Sequence, residues 1–226
     1  MNVVHRPTLA EQAYEELQAQ IVSGRLQAGQ RLLPEELAGQ LAISQTPVKE
    51  ALVQLERDGL VVGTARRASM VRRFSIDDIV EIYDARILIE VNAVRIGVPA
   101  RRATGSFIAR LQATFETQMR NAERQTSEGL AEAIRLDREF HAALVSLGNS
   151  RLLAGWHRVL LQQTQTLKCY SLRNYRVAET RTEHAAIIDA LKDGRATAVV
   201  RALRRHLQAS RDEMLARPPE DLPRTT

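Results

Sequence analysis

The chain has 226 residues, of which 44% are hydrophobic, 26% are charged and 4% are aromatic, and its formal net charge at pH 7 is +5. This length allows one large or two small domains, and the composition is ordinary for a globular protein. The scarcity of aromatic residues argues against an all-β sandwich or barrel. The single cysteine, Cys169, excludes an internal disulfide framework and a multi-cysteine zinc site.

Targeting signals are not evident in the sequence. No run of 18 apolar residues occurs, which predicts that no helix spans a membrane. Residues 1–7 lack the apolar core of a signal peptide, so the expected location is the cytoplasm. The modest positive charge permits a nucleic-acid partner without proving one.

The first part of the chain predicts three short helices followed by a hairpin. Apolar residues recur at helical spacing in three segments within residues 8–58. Two β-prone runs, at residues 60–62 and 69–71, then predict a two-stranded β-hairpin. Three helices and a hairpin make up the plan of a winged helix-turn-helix, which we assign to residues 1–74.

The rest of the chain predicts a bundle. From Ile76 the apolar period is helical almost throughout, which favours an all-α antiparallel bundle of six helices over residues 75–217. The predicted helices lie near residues 76–98, 104–125, 128–147, 150–172, 176–193 and 195–216. Residues 218–226 are predicted to be a disordered tail. The expected fold class is therefore mainly α, with an N-terminal winged helix-turn-helix followed by this bundle.

The pattern from Leu37 to Leu52 fits a helix-turn-helix with its turn at residues 42–44. In this motif the N-terminal end of the second helix enters the major groove of DNA. Glutamine there can hydrogen-bond adenine, lysine can reach guanine or phosphate, and basic residues of the wing can meet the minor groove or the backbone. The predicted DNA-binding residues are Gln45, Thr46 and Lys49 on the recognition helix and Arg66 and Arg67 at the tip of the wing.

Positive charge is concentrated in the same part of the unit. The basic residues between positions 44 and 74 are Lys49, Arg57, Arg66, Arg67, Arg72 and Arg73, whereas the acidic residues there are Glu50, Glu56 and Asp58. This excess of positive charge supports a DNA-binding surface. The alternative is a helical module with a solvated basic face, because generic helix-turn-helix patterns are loose.

Three segments of this unit resemble the GntR family of bacterial transcription regulators. They are GRLQAGQRL at residues 24–32, SQTPVKEAL at 44–52 and LERDGLV at 55–61. The resemblance extends over nearly all of residues 9–72 and implies a winged helix that binds operator DNA. The family usually has arginine at the positions of Gln45 and Lys49 and glycine at that of Ala68. These departures leave the operator sequence open, since lysine does not reproduce the planar fork of arginine.

Four polar residues fall on the apolar faces of three predicted helices in the bundle. Asp137 and His141 are four residues apart and therefore face one way, while His184 and His206 each lie on the apolar face of a later helix. A buried carboxylate is costly without a partner. One divalent metal ion bound by the three imidazoles and the carboxylate would remove that cost, and such ligands suit Zn, Ni, Mn or Fe.

A purely structural interpretation of these residues is the alternative. Each could be a satisfied core histidine or a member of a hydrogen-bonded Asp–His pair. His157 offers a contrast, because it lies beside the predicted apolar stripe of Trp156 and Leu160 and is expected to be structural. Four inward polar residues on three helices together favour the metal site.

The bundle resembles the FCD ligand-binding domain, which follows the winged helix in the FadR-like branch of the GntR family. The matching segments are DREFH at residues 137–141, Gly148-Asn149, Glu183-His184 and Arg205-His206-Leu207. Six helices resemble the VanR-type subset of that branch. The resemblance implies that Asp137, His141, His184 and His206 ligate a metal and that the chain is a homodimer through its helical domain.

The segment RILIE at residues 86–90 matches the first helix of that effector domain. The position of Arg86 is associated there with binding an acidic effector. The alternative for Arg86 is a salt bridge with Glu90, four residues further along the same helix.

The sequence thus predicts a metabolite-responsive transcription regulator, and specifically a repressor, that binds operator DNA as a homodimer. A small carboxylate effector would bind at the metal and change the affinity for DNA. One alternative is a metal sensor, for which the metal itself is the signal. A metal-dependent hydrolytic enzyme is a further alternative. No separate inward acidic residue is evident as its general base, and an enzyme gives no reason for the DNA-binding unit.

Overall fold

The computed structural model describes residues 7–63, 69–170 and 175–216, except for the side chains of residues 169 and 170. Two compact units divide the chain between Arg73 and Phe74. The predicted tail at 218–226 lies outside the described residues, as do Arg66, Arg67 and Ala68 of the predicted wing. Among the described residues, no helix combines the length and the apolar character that a membrane span requires.

The first unit contains three helices and a small sheet. The helices are α1 (Leu9–Val22), α2 (Pro34–Leu41) and α3 (Gln45–Arg57), and the strands are β1 (Arg31–Leu32), β2 (Val61–Gly63) and β3 (Ser69–Val71). The predicted hairpin of β2 and β3 is present, but β1 also pairs antiparallel with β3, which gives the order β1-β3-β2. A strand of two residues has too little period for the sequence to predict.

Local signals explain the helix-turn-helix. After α2 the backbone of Ala42 adopts a left-handed conformation, with φ of 54°, and this turns the chain. Ser44 occupies the N-cap of α3 in an extended conformation, although its side chain makes no capping hydrogen bond. Val48 and Leu55 of α3 are fully buried in the core of this unit. This burial fixes which face of α3 remains exposed.

The second unit contains six helices in its described parts, as the sequence predicts. They are α4 (Ile76–Gly97), α5 (Gly105–Ala122), α6 (Ser127–Ser146), α7 (Arg151–Tyr170), α8 (Val177–Lys192) and α9 (Ala196–Ala216). Hydroxyl side chains of Ser75, Thr104 and Thr126 accept hydrogen bonds from backbone N–H groups at the starts of α4, α5 and α6, which satisfies exposed donors there. Phe74 packs in the core of this unit, beside Ile79 and Met214.

Candidate metal centre and DNA-binding surface

The structure brings the four predicted metal ligands together. Asp137 and His141 come from α6, His184 from α8 and His206 from α9, and all four are buried. One ligand atom from each lies within 4.8 Å of the corresponding atoms of the other three. Spacing along single helices predicted the inward direction of these residues. Their convergence comes from the packing of α8 on α9 and of both α6 and α8 on α5.

The Nδ1 atom of each histidine lies against a hydrogen-bond acceptor. The contacts are His141 Nδ1 to Glu90 Oε2 at 2.6 Å, His206 Nδ1 to Glu183 Oε2 at 2.7 Å and His184 Nδ1 to Gln118 Oε1 at 3.1 Å. Carboxylate and amide oxygens accept, so Nδ1 carries the proton in each neutral ring. The lone pair of each ring is therefore on Nε2. Such outer partners orient the histidines of metal sites.

The three Nε2 atoms face one another. His206 Nε2 lies 3.2 Å from His141 Nε2 and 3.3 Å from His184 Nε2, and Asp137 Oδ1 lies 3.5 Å from His184 Nε2. Because each Nε2 is an acceptor, these close contacts repel unless a cation lies among them. Donors bound to one metal at about 2.0–2.1 Å are separated by roughly 3 Å, which is close to the spacing found here. These residues fit a divalent metal.

Asp137 is held in its ionised form by its neighbours. Its Oδ2 accepts a hydrogen bond from Lys168 Nζ at 2.7 Å, and its Oδ1 accepts one from Gln118 Nε2 at 3.2 Å. Burial acts to raise the pKa of Asp137, but the positive charge of Lys168 outweighs this effect, so the pKa is lowered. An ionised carboxylate is the form that binds a metal.

A buried carboxylate lies beside this cluster, and the sequence analysis named it only as a possible salt-bridge partner of Arg86. Glu90 of α4 is fully buried, and besides His141 it contacts Arg86 Nε and His157 Nε2, both at 2.9 Å from its Oε1. Burial acts to raise the pKa of Glu90, but His141 and Arg86 lower it well below its usual range. Since Ile87, Val91 and Val94 are also buried along α4, the apolar period of that helix could have revealed that Glu90 faces inward. Both carboxylate oxygens already have partners, which does not suit a general base.

Arg86 makes the salt bridge that the sequence offered as its alternative role. The guanidinium is 1% exposed and bonds Glu90 through Nε. Its Nη2 is buried and has no hydrogen-bond partner among the described residues. One donor of Arg86 therefore remains for a ligand, and its contact with an effector stays a prediction.

Around His157, helix α7 does not bury the side chains that the sequence predicts. Trp156, which was expected on an apolar stripe, is 57% exposed. His157 is buried instead, and its Nε2 is hydrogen-bonded to Glu90 Oε1, which agrees with a structural role. The apolar character of Trp156 was thus misleading, because the inward face of α7 carries polar groups that meet α4.

A cavity of about 560 Å³, including its open mouth, lies beside the cluster. Its walls include Lys168, Tyr175 and Glu183. Lys168 bonds Asp137, Glu183 bonds His206, and the Tyr175 hydroxyl accepts a hydrogen bond from Gln118 Nε2 at 3.0 Å. A small molecule in this cavity would therefore contact groups that hold the metal ligands.

In the first unit, the predicted DNA-binding side chains of α3 lie together. Gln45, Thr46 and Lys49 are all exposed in the first two turns of that helix. Its first turn contains no acidic residue, so the partial positive charge of the helix N-terminus is available to a phosphate.

Comparison with known proteins agrees with the division of the chain into two units. The model of bacterial regulatory proteins of the gntR family matches residues 9–71, and that of the FCD domain matches residues 81–209. The chain belongs to the GntR family of bacterial regulators, in its FadR-like branch with an FCD domain. It is a DNA-binding transcription regulator and not an enzyme.

Similar proteins include the Nta operon transcriptional regulator of Aminobacter aminovorans, which is 28% identical and aligns over 86% of this chain and 89% of its own. A probable D-xylose utilization operon transcriptional repressor of Paenarthrobacter nicotinovorans is 27% identical over 90% and 88% of the two chains. Among solved structures, McbR/YncC of E. coli has a TM-score of 0.77 at 25% identity, covering 93% of this chain and 98% of the other. A GntR regulator of Rhodococcus sp. RHA1 has a TM-score of 0.79 at 25% identity, covering 92% and 98%.

We predict that the metal-free protein loses stability in weak acid. Burial lowers the pKa of His141, His184 and His206. The unfolded chain binds protons at these residues below about pH 6.5, whereas the folded chain resists them, so the free energy of unfolding falls as the pH falls. The expected loss is up to about 1.4 kcal/mol per pH unit for each histidine.

Urea unfolding of chelator-treated protein at pH 7.5 and 5.5 measures this slope. The variant His184→Leu removes one of the three groups and should show a shallower slope than the wild type. Equal slopes in the two proteins would contradict the claim that burial of His184 lowers its pKa and contributes to the slope.

Proposed function

We propose that the protein is a metabolite-responsive repressor whose operator affinity changes when a small carboxylate binds at a divalent metal in the helical unit. The observation that carries this proposal is the convergence of three Nε2 lone pairs and an ionised carboxylate beside an open cavity. The proposed metal is Zn, Ni, Mn or Fe, held by Asp137, His141, His184 and His206. The proposed place of action is the cytoplasm, where bacterial operator DNA lies.

The proposed contacts with DNA are made by Gln45, Thr46 and Lys49 of α3 and by Arg66 and Arg67 of the wing. The exposed start of α3 supports the first three. Repression fits a protein that covers its operator until a metabolite weakens the complex, and one relative carries the name of a repressor.

Lys49→Ala should weaken operator binding without unfolding the protein. Because Lys49 is exposed, its loss removes a cationic contact and no core packing. If that contact is to one phosphate, the salt dependence of binding should fall by about one unit of slope. Fluorescence anisotropy with operator DNA at several salt concentrations measures both effects.

The matched control is Lys192→Ala, which removes an exposed lysine from the helical unit. It should bind DNA like the wild type. Unchanged binding in a triple Lys49, Arg66 and Arg67 alanine variant would overturn the proposed docking.

A homodimer through the helical unit is also proposed. Leu88 of α4 is 73% exposed and Trp156 of α7 is 57% exposed, and these two helices pack against each other. Leu88 is two residues from Glu90, and Trp156 is next to His157. Since Glu90 and His157 bond each other, they join the two helices close to these exposed side chains. A second copy of this chain would cover them, and two winged helices held in one assembly suit a near-palindromic operator.

Leu88→Arg should therefore shift the protein from dimer to monomer, because a charge in an apolar interface loses its solvation. Sedimentation velocity measures the mass in solution. Val53→Arg, which alters an exposed valine of α3, is the control and should leave the mass unchanged. A dimer of undiminished stability in Leu88→Arg would place the interface elsewhere.

The proposed effector site lies between the metal and Arg86. Four protein ligands leave up to two positions of an octahedral ion for an acid, and Arg86 Nη2 supplies a buried donor. Arg86 belongs to α4, whereas the metal ligands lie on α6, α8 and α9, so one bound acid would join several helices. Residues 72–75 connect α4 directly to β3, and a coupling of about 1–3 kcal/mol between acid and DNA would be enough for regulation.

Arg86→Lys tests this site with little risk to the fold, since lysine keeps a positive charge near Glu90 but removes Nη2. The variant should retain about one metal ion per chain by elemental analysis, as a single shared site requires, and should lose the effect of carboxylic acids on DNA binding. A normal acid response would limit Arg86 to its salt bridge. A response to metal alone, with none to acids, would favour a metal sensor.

A further inference from the structure

Tyr83 has a buried hydroxyl that takes no part in the proposed metal site. Its side chain is 0% exposed, its ring lies 5.3 Å from the Arg86 guanidinium, and it forms part of the cavity wall. Its Oη has no hydrogen-bond partner among the described residues. A buried hydroxyl without a partner loses its hydration and gains no hydrogen bond in exchange. Such a group is expected where a ligand binds.

Lys168 lies in the same wall of the cavity. Its ammonium bonds Asp137, and an ammonium has three N–H groups to donate. The Lys168 side chain is 15% exposed and its Nζ lies 2.7 Å from Asp137 Oδ2, so the two form a largely buried ion pair. Tyr83 and Lys168 therefore bring a neutral and a cationic donor to one wall.

Metal binding would leave Lys168 without a full counter-charge. Asp137 is the carboxylate that bonds Lys168, and it is also a proposed metal ligand. A divalent ion at Oδ1 more than neutralises this carboxylate. The other nearby acids already have partners, because Glu90 pairs with Arg86 and Glu183 bonds His206. Glu179 and Glu213 of the cavity wall both pair with Arg176. Positive charge is then in excess, and an anion beside Lys168 would offset it.

We propose that Tyr83 and Lys168 form a second carboxylate-binding subsite, so that the effector is a small dicarboxylate. One of its carboxylates would bind at the metal and Arg86, and the other would accept hydrogen bonds from Tyr83 Oη and Lys168 Nζ. An acceptor suits this subsite because lysine only donates, and a charged acceptor makes the stronger hydrogen bond with an ammonium. This inference rests on the proposed function, from which the first carboxylate site is taken.

Calorimetric titration of the zinc-loaded protein with paired acids tests the proposal. The pairs are propanoate with malonate, butanoate with succinate, pentanoate with glutarate and hexanoate with adipate. The dicarboxylate that binds best should bind at least about ten-fold more tightly than the monocarboxylate of equal length, as expected for one added charge-assisted hydrogen bond.

Two variants test whether the preference for dicarboxylates comes from Tyr83 and Lys168. Tyr83→Phe should lose at least about three-fold of the preference, as expected for one hydrogen bond, and it should be no less stable than the wild type because it removes an unpartnered hydroxyl. Lys168→Met should bring the two acids of each pair within about two-fold, since the charged donor is lost. Zinc content is measured for each variant, because Lys168 touches a metal ligand. Lys192→Met is the matched control and should keep the full preference.

The outcomes separate the two proposals. If monocarboxylates bind as tightly as their partners, or if Tyr83→Phe and Lys168→Met weaken both acids of a pair equally, the second subsite is wrong while the acid site at the metal stands. If no acid of either kind binds to the zinc-loaded wild type, both proposals fail.

Discussion

The helical unit depends on the close approach of three imidazole Nε2 atoms to one another and to Asp137. Each ring is oriented by an acceptor at Nδ1, so the lone pairs cannot turn away from the centre. Every one of the six helices supplies a group. The ligands come from α6, α8 and α9, their partners come from α4, α5 and α8, and α7 supplies Lys168 and His157. The bundle is thus packed around a polar centre that a cation would complete.

This centre also limits how the unit can respond to a ligand. Buried polar groups in a low-dielectric interior interact strongly, so a change at one contact alters the others. Lys168, Tyr175 and Glu183 lie between the cavity and the cluster and each bonds a ligand or its partner. A molecule in the cavity would reach the groups of the metal centre through these three contacts.

The sequence predicted those features that depend on one helix at a time. Asp137 and His141 are four residues apart on an apolar face, so their inward direction follows from helical geometry. The outer partners could not be predicted in the same way, since Gln118 meets His184 only after α5 packs on α8. The burial of Glu90 and its contacts with His141 and His157 were not predicted, because a salt bridge with Arg86 also suits an exposed helix. Likewise, strand β1 is defined by its pairing with β3 and not by its own two residues.

The acceptors that hold the three histidines are not equivalent. His141 and His206 bond carboxylates, whereas His184 bonds the neutral amide of Gln118. A carboxylate partner raises the basicity of an imidazole more than an amide does, so His184 would be the weakest electron donor to a bound ion. Gln118 also bonds Tyr175 at the cavity wall. Of the three histidines, His184 would therefore be the one most readily affected by a molecule in the cavity, because its amide partner also bonds the cavity wall.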